Sequence, residues 1–169
     1  MRTSLAVLAL AAAWSGVASA DEEAMSATII GSNPLLSEGT AALMVERWQQ
    51  GIELIERGLA STADTGDRAA AYSNLCAAHV ALRDYDRALM DCDAALKLDA
   101  ANWRTYNNRA AALLGKDRLD EALHDVETGL ALDPEAATLR TTEKIVRNRL
   151  QRLYEPHRRR SSAATSHNG

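Results

Sequence analysis

Two cysteines and a histidine, Cys76, His79 and Cys92, are the residues of this chain best suited to chemistry. Thiolate and imidazole groups bind Zn²⁺, but a closed structural zinc site takes four ligands. The sequence shows no evident fourth ligand near these three. Reactive thiol pairs are typical of a Cys-x-x-Cys motif, which the two cysteines do not form. The pattern therefore favours packed core residues over a metal site or a catalytic thiol pair.

Acidic pairs at Asp91/Asp93 and Asp117/Asp120 are the next candidates, in this case for general acid–base catalysis. A carboxyl group that works near neutral pH needs a pKa shifted by burial or by a close charge. Both pairs fall where a helix or a turn meets water, which favours solvated carboxylates. The sequence therefore predicts no catalytic residue, no metal site and no cofactor.

The first 20 residues have the three-part pattern of a secretory signal. Arg2 supplies a positive charge, residues 5–18 form an apolar run, and residues 18–20 are small. A transmembrane helix needs about 20 apolar residues, and this run is shorter and is followed by Asp21. We predict cleavage after Ala20 and export to the periplasm or beyond, with a flexible segment at residues 21–31.

Charge is divided unevenly along the rest of the chain. Residues 21–137 contain 10 basic and 21 acidic residues, whereas residues 138–169 contain 8 basic and 2 acidic ones. An acidic body argues against a nucleic-acid partner. The basic C-terminal residues could contact an acidic lipid or a phosphate, although such tails are more often solvated.

An internal repeat organises the middle of the chain, because a shift of 34 residues aligns one segment with the next. Tyr72 aligns with Tyr106 and Asn74 with Asn108. Further matches are Ala78 with Ala112, Ala88-Leu89 with Ala122-Leu123, Asp91 with Asp125, and Leu96 with Leu130. Repeats of this length are helical hairpins that bury their apolar face only by stacking on neighbours.

These residues resemble the tetratricopeptide repeat (TPR), a helix-turn-helix unit of 34 residues. Two units would occupy residues 69–102 and 103–136. The small residues of the family at positions 8 and 20 then fall at Cys76 and Ala88, and at Ala110 and Ala122. The resemblance implies an all-α, right-handed solenoid of closely packed antiparallel helix pairs.

A degenerate unit at residues 32–68 precedes these two. Within it, Gly51 aligns with Ala88 and Gly58 aligns with Ala95, while Asn33 and Pro34 suit a helix start. A stable stack needs about three units, so we predict a TPR domain at residues 32–137. Residues 138–154 carry an apolar stripe and are predicted to form a capping helix, followed by a disordered basic tail at residues 155–169.

In the register of the family, Cys76 and Cys92 occupy positions 8 and 24, which face each other in an antiparallel pair. A disulfide is feasible in an oxidising compartment if the two Cα atoms lie within about 7 Å. The alternative is two free thiols that fill small buried spaces.

The resemblance also implies a ligand groove lined by the first helix of each unit. Its polar residues here would be Asn74, Arg104, Asn107 and Asn108, whose amides pair with peptide backbone and whose guanidinium takes a carboxylate. Relatives that bind heat-shock chaperones hold a C-terminal carboxylate with Lys, Asn and Arg. Leu36 and Thr40 occupy two of those positions, so a complete carboxylate clamp is not expected. Asparagine at position 6 also serves the folding of the repeat.

The sequence thus predicts a non-catalytic protein–protein interaction module of the cell envelope. It would bind a peptide or protein partner in the groove, as a monomer or a homodimer. One alternative is self-assembly through the ends of the solenoid, with Trp48 in the contact. The other is a thiol-dependent enzyme accessory that uses Cys76.

Overall fold

The computed structural model describes the backbone of residues 33–165 and the side chains of residues 33–154. Within these residues seven α-helices follow one another and no strand occurs: α1 (Pro34–Met44), α2 (Trp48–Ser61), α3 (Thr65–Ala81), α4 (Tyr85–Leu98), α5 (Trp103–Gly115), α6 (Leu119–Leu132) and α7 (Ala137–Thr165). The all-α prediction is therefore confirmed. The predicted signal at residues 1–20 and the predicted flexible segment at residues 21–31 lie outside the described residues.

The helices form three hairpins, α1/α2, α3/α4 and α5/α6, and α7 packs on the last of them. The first helices also contact one another, since α1 meets α3, α3 meets α5 and α5 meets α7. By contrast, no Cα atom of α4 lies within 8 Å of α2 or of α6. The stack is therefore tighter along its first helices, which places the row α1, α3, α5 and α7 on the inner side of a curved solenoid.

Each hairpin turns through a residue in the left-handed backbone region. Glu46, Arg83 and Asp117 have φ angles of 59°, 59° and 58°. In the second turn, the amide of Asp84 donates to the carbonyl oxygen of His79 over 2.9 Å, and equivalent bonds close the other two turns. This is the hydrogen bond that ends many helices at a left-handed residue. Arg83 and Asp117 are 34 positions apart, as the sequence repeat predicts, whereas Glu46 precedes Arg83 by 37 positions.

Replacing Arg83 with glycine is expected to raise the free energy of unfolding by about 0.5–1 kcal/mol. The left-handed conformation costs an L-residue about 1–2 kcal/mol, which exceeds the extra chain entropy of glycine of about 0.5–1 kcal/mol. Urea unfolding measures the change. Arg57→Gly, in the exposed interior of α2, is the matched control and is expected to lose about 1 kcal/mol. A loss for Arg83→Gly as well would show that the turn is not strained.

Small residues let the two helices of each hairpin approach closely. Cys76, Ala88, Ala110 and Ala122 are all 0% exposed. In the first hairpin a Cβ atom added to Gly39 would lie 2.6 Å from Cγ1 of Ile55 and 3.0 Å from the carbonyl oxygen of Gly51. The helix backbones nearly touch there, which explains the glycines of the degenerate unit and confirms it as a third hairpin.

Helix α7 closes the C-terminal end of the stack. Leu139 and Val146 are 0% exposed and pack in one cluster with Ala110 and Val126. The helix continues to Thr165, past the predicted end at residue 154. Arginine and alanine, which are frequent there, are good helix formers. Within residues 33–165, none of the helices has the length and apolar character needed to cross a membrane.

Candidate functional site

Arg104 is the accessible positive charge at the amino end of α5. The side-chain oxygen of Asn102 accepts a hydrogen bond from the backbone amide of Arg104 over 3.1 Å and starts the helix there. The guanidinium of Arg104 lies over the ring of Trp103, with 4.4 Å between its central carbon and the ring centre. Residues 104, 108 and 111 share one face of α5, because they are four and three positions apart. The resemblance to the TPR family predicts that this face lines the inner side of the solenoid.

Side-chain hydrogen bonds join the first helices of successive repeats. The amide of Asn74 donates to Oγ1 of Thr40 over 3.0 Å, and the amide of Asn108 donates to the backbone oxygen of Ser73 over 3.4 Å. The hydroxyl of Thr105 donates to Oγ of Ser73 over 2.8 Å. Each bond connects residues 32–35 positions apart, so these polar groups fix the spacing between hairpins.

A similar bond attaches the last helix, since Oγ1 of Thr142 in α7 donates to Oδ1 of Asn107 over 2.9 Å. We call this set of side chains the polar seam: Thr40, Ser73, Asn74, Thr105, Asn107, Asn108 and Thr142.

The structure separates the four predicted groove residues into two groups. Arg104 is exposed, whereas Asn74, Asn107 and Asn108 are 1%, 0% and 1% exposed and belong to the polar seam. These asparagines also take part in further interactions. Asn74 and Asn108, which occupy position 6 of their units, thus have the folding role that the family suggests for that position, because each bonds to the preceding first helix. Their contact with a peptide stays a prediction.

The residues at the two positions that would complete a carboxylate clamp, Leu36 and Thr40, make other contacts within the chain. Leu36 is 0% exposed, within the core of the first hairpin. Thr40 accepts a hydrogen bond from Asn74, and its hydroxyl donates to the backbone oxygen of Leu36 over 2.9 Å. Neither position offers a cationic or amide donor.

Cys76 in α3 and Cys92 in α4 face each other across the second hairpin. Their Cα atoms are 5.3 Å apart, their sulfur atoms lie at bonding distance, and both residues are 0% exposed. Nδ1 of His79 lies 2.7 Å from Oδ2 of Asp91. The structure therefore places the sulfur atoms of Cys76 and Cys92 next to each other and the ring of His79 beside the carboxylate of Asp91. It does not bring all three side chains together as metal ligands.

Among residues 33–154 the most buried carboxylate is that of Asp125, which the two predicted acidic pairs do not include. Its side chain is 3% exposed and accepts two hydrogen bonds from Arg109, over 2.8 and 2.7 Å. Arg109 also donates to Asp93 over 2.8 Å, so one arginine of α5 connects α4 with α6. The hydrogen bonds and charge of Asp125 raise the pKa of Arg109, against the effect of burial. The alignment of Asp125 with Asp91 was the signal in the sequence, because Asp91 also has a partner in its own hairpin.

No family model matches the chain. Among curated proteins, Protein STIP1 homolog of Dictyostelium discoideum is 32% identical over 72 residues, which cover 43% of this chain and 13% of that protein. Small glutamine-rich tetratricopeptide repeat-containing protein 2 of Saccharomyces cerevisiae is 31% identical over 67 residues, 40% of this chain and 19% of that protein. The chain therefore spans less than a fifth of the length of these relatives.

Solved structures resemble the chain over about two thirds or more of its length. The Arabidopsis OM64 TPR domain has a TM-score of 0.62 and 27% identity, over 68% of this chain and 92% of that domain. The second TPR domain of human RPAP3, in complex with the HSP70 peptide SGPTIEEVD, has a TM-score of 0.60 and 26% identity, over 67% and 92%. The Aspergillus fumigatus Sgt2 TPR domain has a TM-score of 0.67 and 20% identity, over 76% and 85%. The fold is thus that of a TPR solenoid.

Proposed function

We propose that this TPR solenoid is a non-catalytic interaction module that binds a peptide or protein partner on its inner face. The observation that carries the proposal is Arg104. It is an exposed cation on the inner face, held at the start of α5 by the Asn102 cap and by the Trp103 ring. A guanidinium of this kind forms two-pronged hydrogen bonds with a carboxylate of the partner.

The similar domains support a peptide as the ligand class. The second TPR domain of human RPAP3 binds an HSP70 peptide, and the first TPR of Spaghetti (RPAP3) binds the HSP90 peptide SRMEEVD. For this chain we propose recognition of an acidic side chain or segment rather than a dedicated clamp for a C-terminal carboxylate. Leu36 packs in the core of the first hairpin and Thr40 belongs to the polar seam, so these two positions supply no cationic or amide donor for a full clamp.

We also propose that the module works in the cell envelope, after export and cleavage of the signal. The support is the pattern of residues 1–20 and the facing cysteines, because disulfides persist in oxidising compartments. The partner would then be an envelope protein.

Arg104→Glu is expected to abolish capture of the partner by the tagged chain from a cell-envelope fraction, read by mass spectrometry. The reversed charge repels the acidic group that Arg104 would bind. Arg57→Glu is the matched control, since it reverses the charge of an exposed arginine on α2, which lies on the outer row of helices.

Equal helicity and equal urea midpoints of the two variants would show that both are folded. Equal capture by wild type, Arg104→Glu and Arg57→Glu would overturn the inner face as the binding site. Arg104 is replaced alone, because a variant that also replaced Asn74 or Asn108 would break the polar seam.

The two alternatives receive less support from the structure. Trp48 is half-buried and packs against the core of the first hairpin, so its ring is already used within the chain. A nucleophilic thiol must be accessible as the thiolate, whereas Cys76 is 0% exposed and faces Cys92.

A further inference from the structure

A groove separates α4 from α6, the second helices of the last two hairpins. No Cα atom of one helix lies within 8 Å of the other, and α5 lies beneath the gap. The gap is a cavity of about 440 Å³, to which Leu89 and Leu113 contribute apolar surface. The charged residues that line it are Asp93, Arg109, Arg118, Asp120, Glu121 and Asp125. We call this feature the α4/α6 groove, and its volume is in the range of binding pockets, which starts at about 300 Å³.

The side chains of the α4/α6 groove carry an excess of negative charge. Arg109 binds both oxygens of Asp125 and one oxygen of Asp93. The other arginine forms two hydrogen bonds with Glu121. Asp120 is exposed and has no ion-pair partner within residues 33–154. Four carboxylates therefore face two guanidinium groups that are already paired, so the groove favours a cationic ligand with some apolar surface.

Helix α7 extends past the end of the stack. Arg149 donates to the backbone oxygen of Leu114 over 3.1 Å, level with the end of α5, and Leu150 still packs against the core of the third hairpin. The helix then continues to Thr165. Residues 151–165, which we call the α7 arm, therefore reach about 22 Å beyond α5, at about 1.5 Å for each residue.

The exposed side chains at the base of the α7 arm suit the α4/α6 groove. Arg152 is exposed, and Leu153 and Tyr154 are 53% and 61% exposed. Successive residues of a helix are about 100° apart, so Leu153 lies between the other two around the helix. When Leu153 is directed at the apolar surface of the groove, Arg152 can face Asp120 on α6. Tyr154 then faces α4, where Met90 is 72% exposed.

The groove that receives an α7 arm must belong to another molecule. Helix α7 contacts α5 and α6 but not α4, and it runs unbroken beyond the turn between α5 and α6, away from its own groove. Every copy of the chain has one arm and one groove, so two copies can exchange arms about a two-fold axis. Once the first contact has formed, the second is intramolecular, which strengthens the pair. The acidic body and basic C-terminal residues of the sequence are complementary in the same sense.

We propose that two copies of this chain exchange their α7 arms, with Arg152 of one copy bound to Asp120 of the other and Leu153 seated in the α4/α6 groove. Leu113 in the groove and Arg104 are nine positions apart on α5, which places them on opposite sides of that helix. The dimer therefore leaves Arg104 accessible and presents two such faces. The exchange involves neither Trp48 nor the proposed partner, so it goes beyond the proposed function and does not depend on it.

Sedimentation velocity of the chain from Asp21 to Gly169 tests the proposal, with a change from one copy to two expected as the concentration rises. Arg152→Glu and Asp120→Arg should each raise the dissociation constant at least about tenfold, because like charges then meet in both contacts. An equimolar mixture of these two variants should dimerise as the wild type does, since opposite charges meet again in both contacts. Arg57→Glu and Glu53→Arg, which change exposed charges on α2, are the matched controls and should dimerise normally.

A wild-type chain that stays monomeric at high concentration would overturn the proposal. A dimer that neither variant weakens, or a mixture of the variants that does not associate, would overturn it as well. Binding of a monomer to phosphatidylglycerol vesicles that is lost in Arg152→Glu would assign the arm to an anionic membrane instead. Partner capture through Arg104 is a separate measurement. If capture is retained without dimerisation, only this inference fails, and if the dimer forms without Arg104-dependent capture, only the proposed function fails.

Discussion

Replacing Arg109 with leucine is expected to lower the free energy of unfolding by about 3–5 kcal/mol, the cost of leaving a buried charge without its partner. The carboxylate of Asp125 is 3% exposed and receives both of its strong hydrogen bonds from Arg109. Leucine fills part of the space but donates no hydrogen bond. The second carboxylate, Asp93, is 55% exposed and can be solvated, so the loss comes mainly from Asp125.

Urea unfolding followed by circular dichroism measures this effect, and the double variant Arg109→Leu/Asp125→Leu separates its causes. Removing both charges should recover more than half of the loss, because no uncompensated carboxylate remains. Arg118→Leu breaks an exposed ion pair with Glu121 and should leave the midpoint unchanged. An Arg109→Leu midpoint equal to that of Arg118→Leu would mean that Asp125 is solvated.

The pKa of Arg109 is raised, so its guanidinium stays protonated at any pH used to measure unfolding. A cation with a raised folded-state pKa stabilises the fold below its unfolded pKa and loses that contribution only as the pH rises through the folded pKa. For an arginine both values lie above the working range. The stabilisation that depends on the charge of Arg109 is therefore expected to stay constant across neutral and mildly alkaline pH.

The hairpins were predictable because their causes are local or periodic. Cys76 with Ala88 and Ala110 with Ala122 lie at the small positions of a repeat, and all four residues are 0% exposed. The cap of α1 by Asn33 followed from the residue type and the proline after it. Gly51 and Gly58 indicated the degenerate unit, and a Cβ atom at either position would collide with Leu43 or Leu36 of the facing helix.

The partners of polar side chains were harder to predict. A repeat register gives the face of a helix on which Asn107 or Asn108 lies, but it does not say what that face touches. Ser73 and Thr142, which bond to them, belong to different repeats and lack a common sequence position. The sequence therefore suggested a ligand site for three asparagines that the structure uses within the stack, and it identified only Arg104 as an exposed donor.

Reduction of a bond between Cys76 and Cys92 is expected to lower the free energy of unfolding by about 3 kcal/mol, the chain-entropy value for a loop of this length. The two cysteines are 16 positions apart, and their Cα separation of 5.3 Å is within the usual range for a disulfide. Both lie at the contact between α3 and α4, so the bond would restrain the central hairpin. Urea unfolding with and without a phosphine reductant measures the difference.

A disulfide between Cys76 and Cys92 would also report the compartment in which the chain folds. Protein purified from the cell envelope should bind no thiol reagent after denaturation unless it is first reduced, whereas a chain made in the cytosol without residues 1–20 should bind two equivalents. The double variant Cys76→Ala/Cys92→Ala should unfold at the same urea concentration with and without reductant. Two free thiols in the envelope protein would instead establish the buried-thiol alternative and remove the cysteines as support for export. A disulfide between Cys76 and Cys92 would instead hold α3 and α4 together, so the central hairpin would resist separation of its helices when a partner binds.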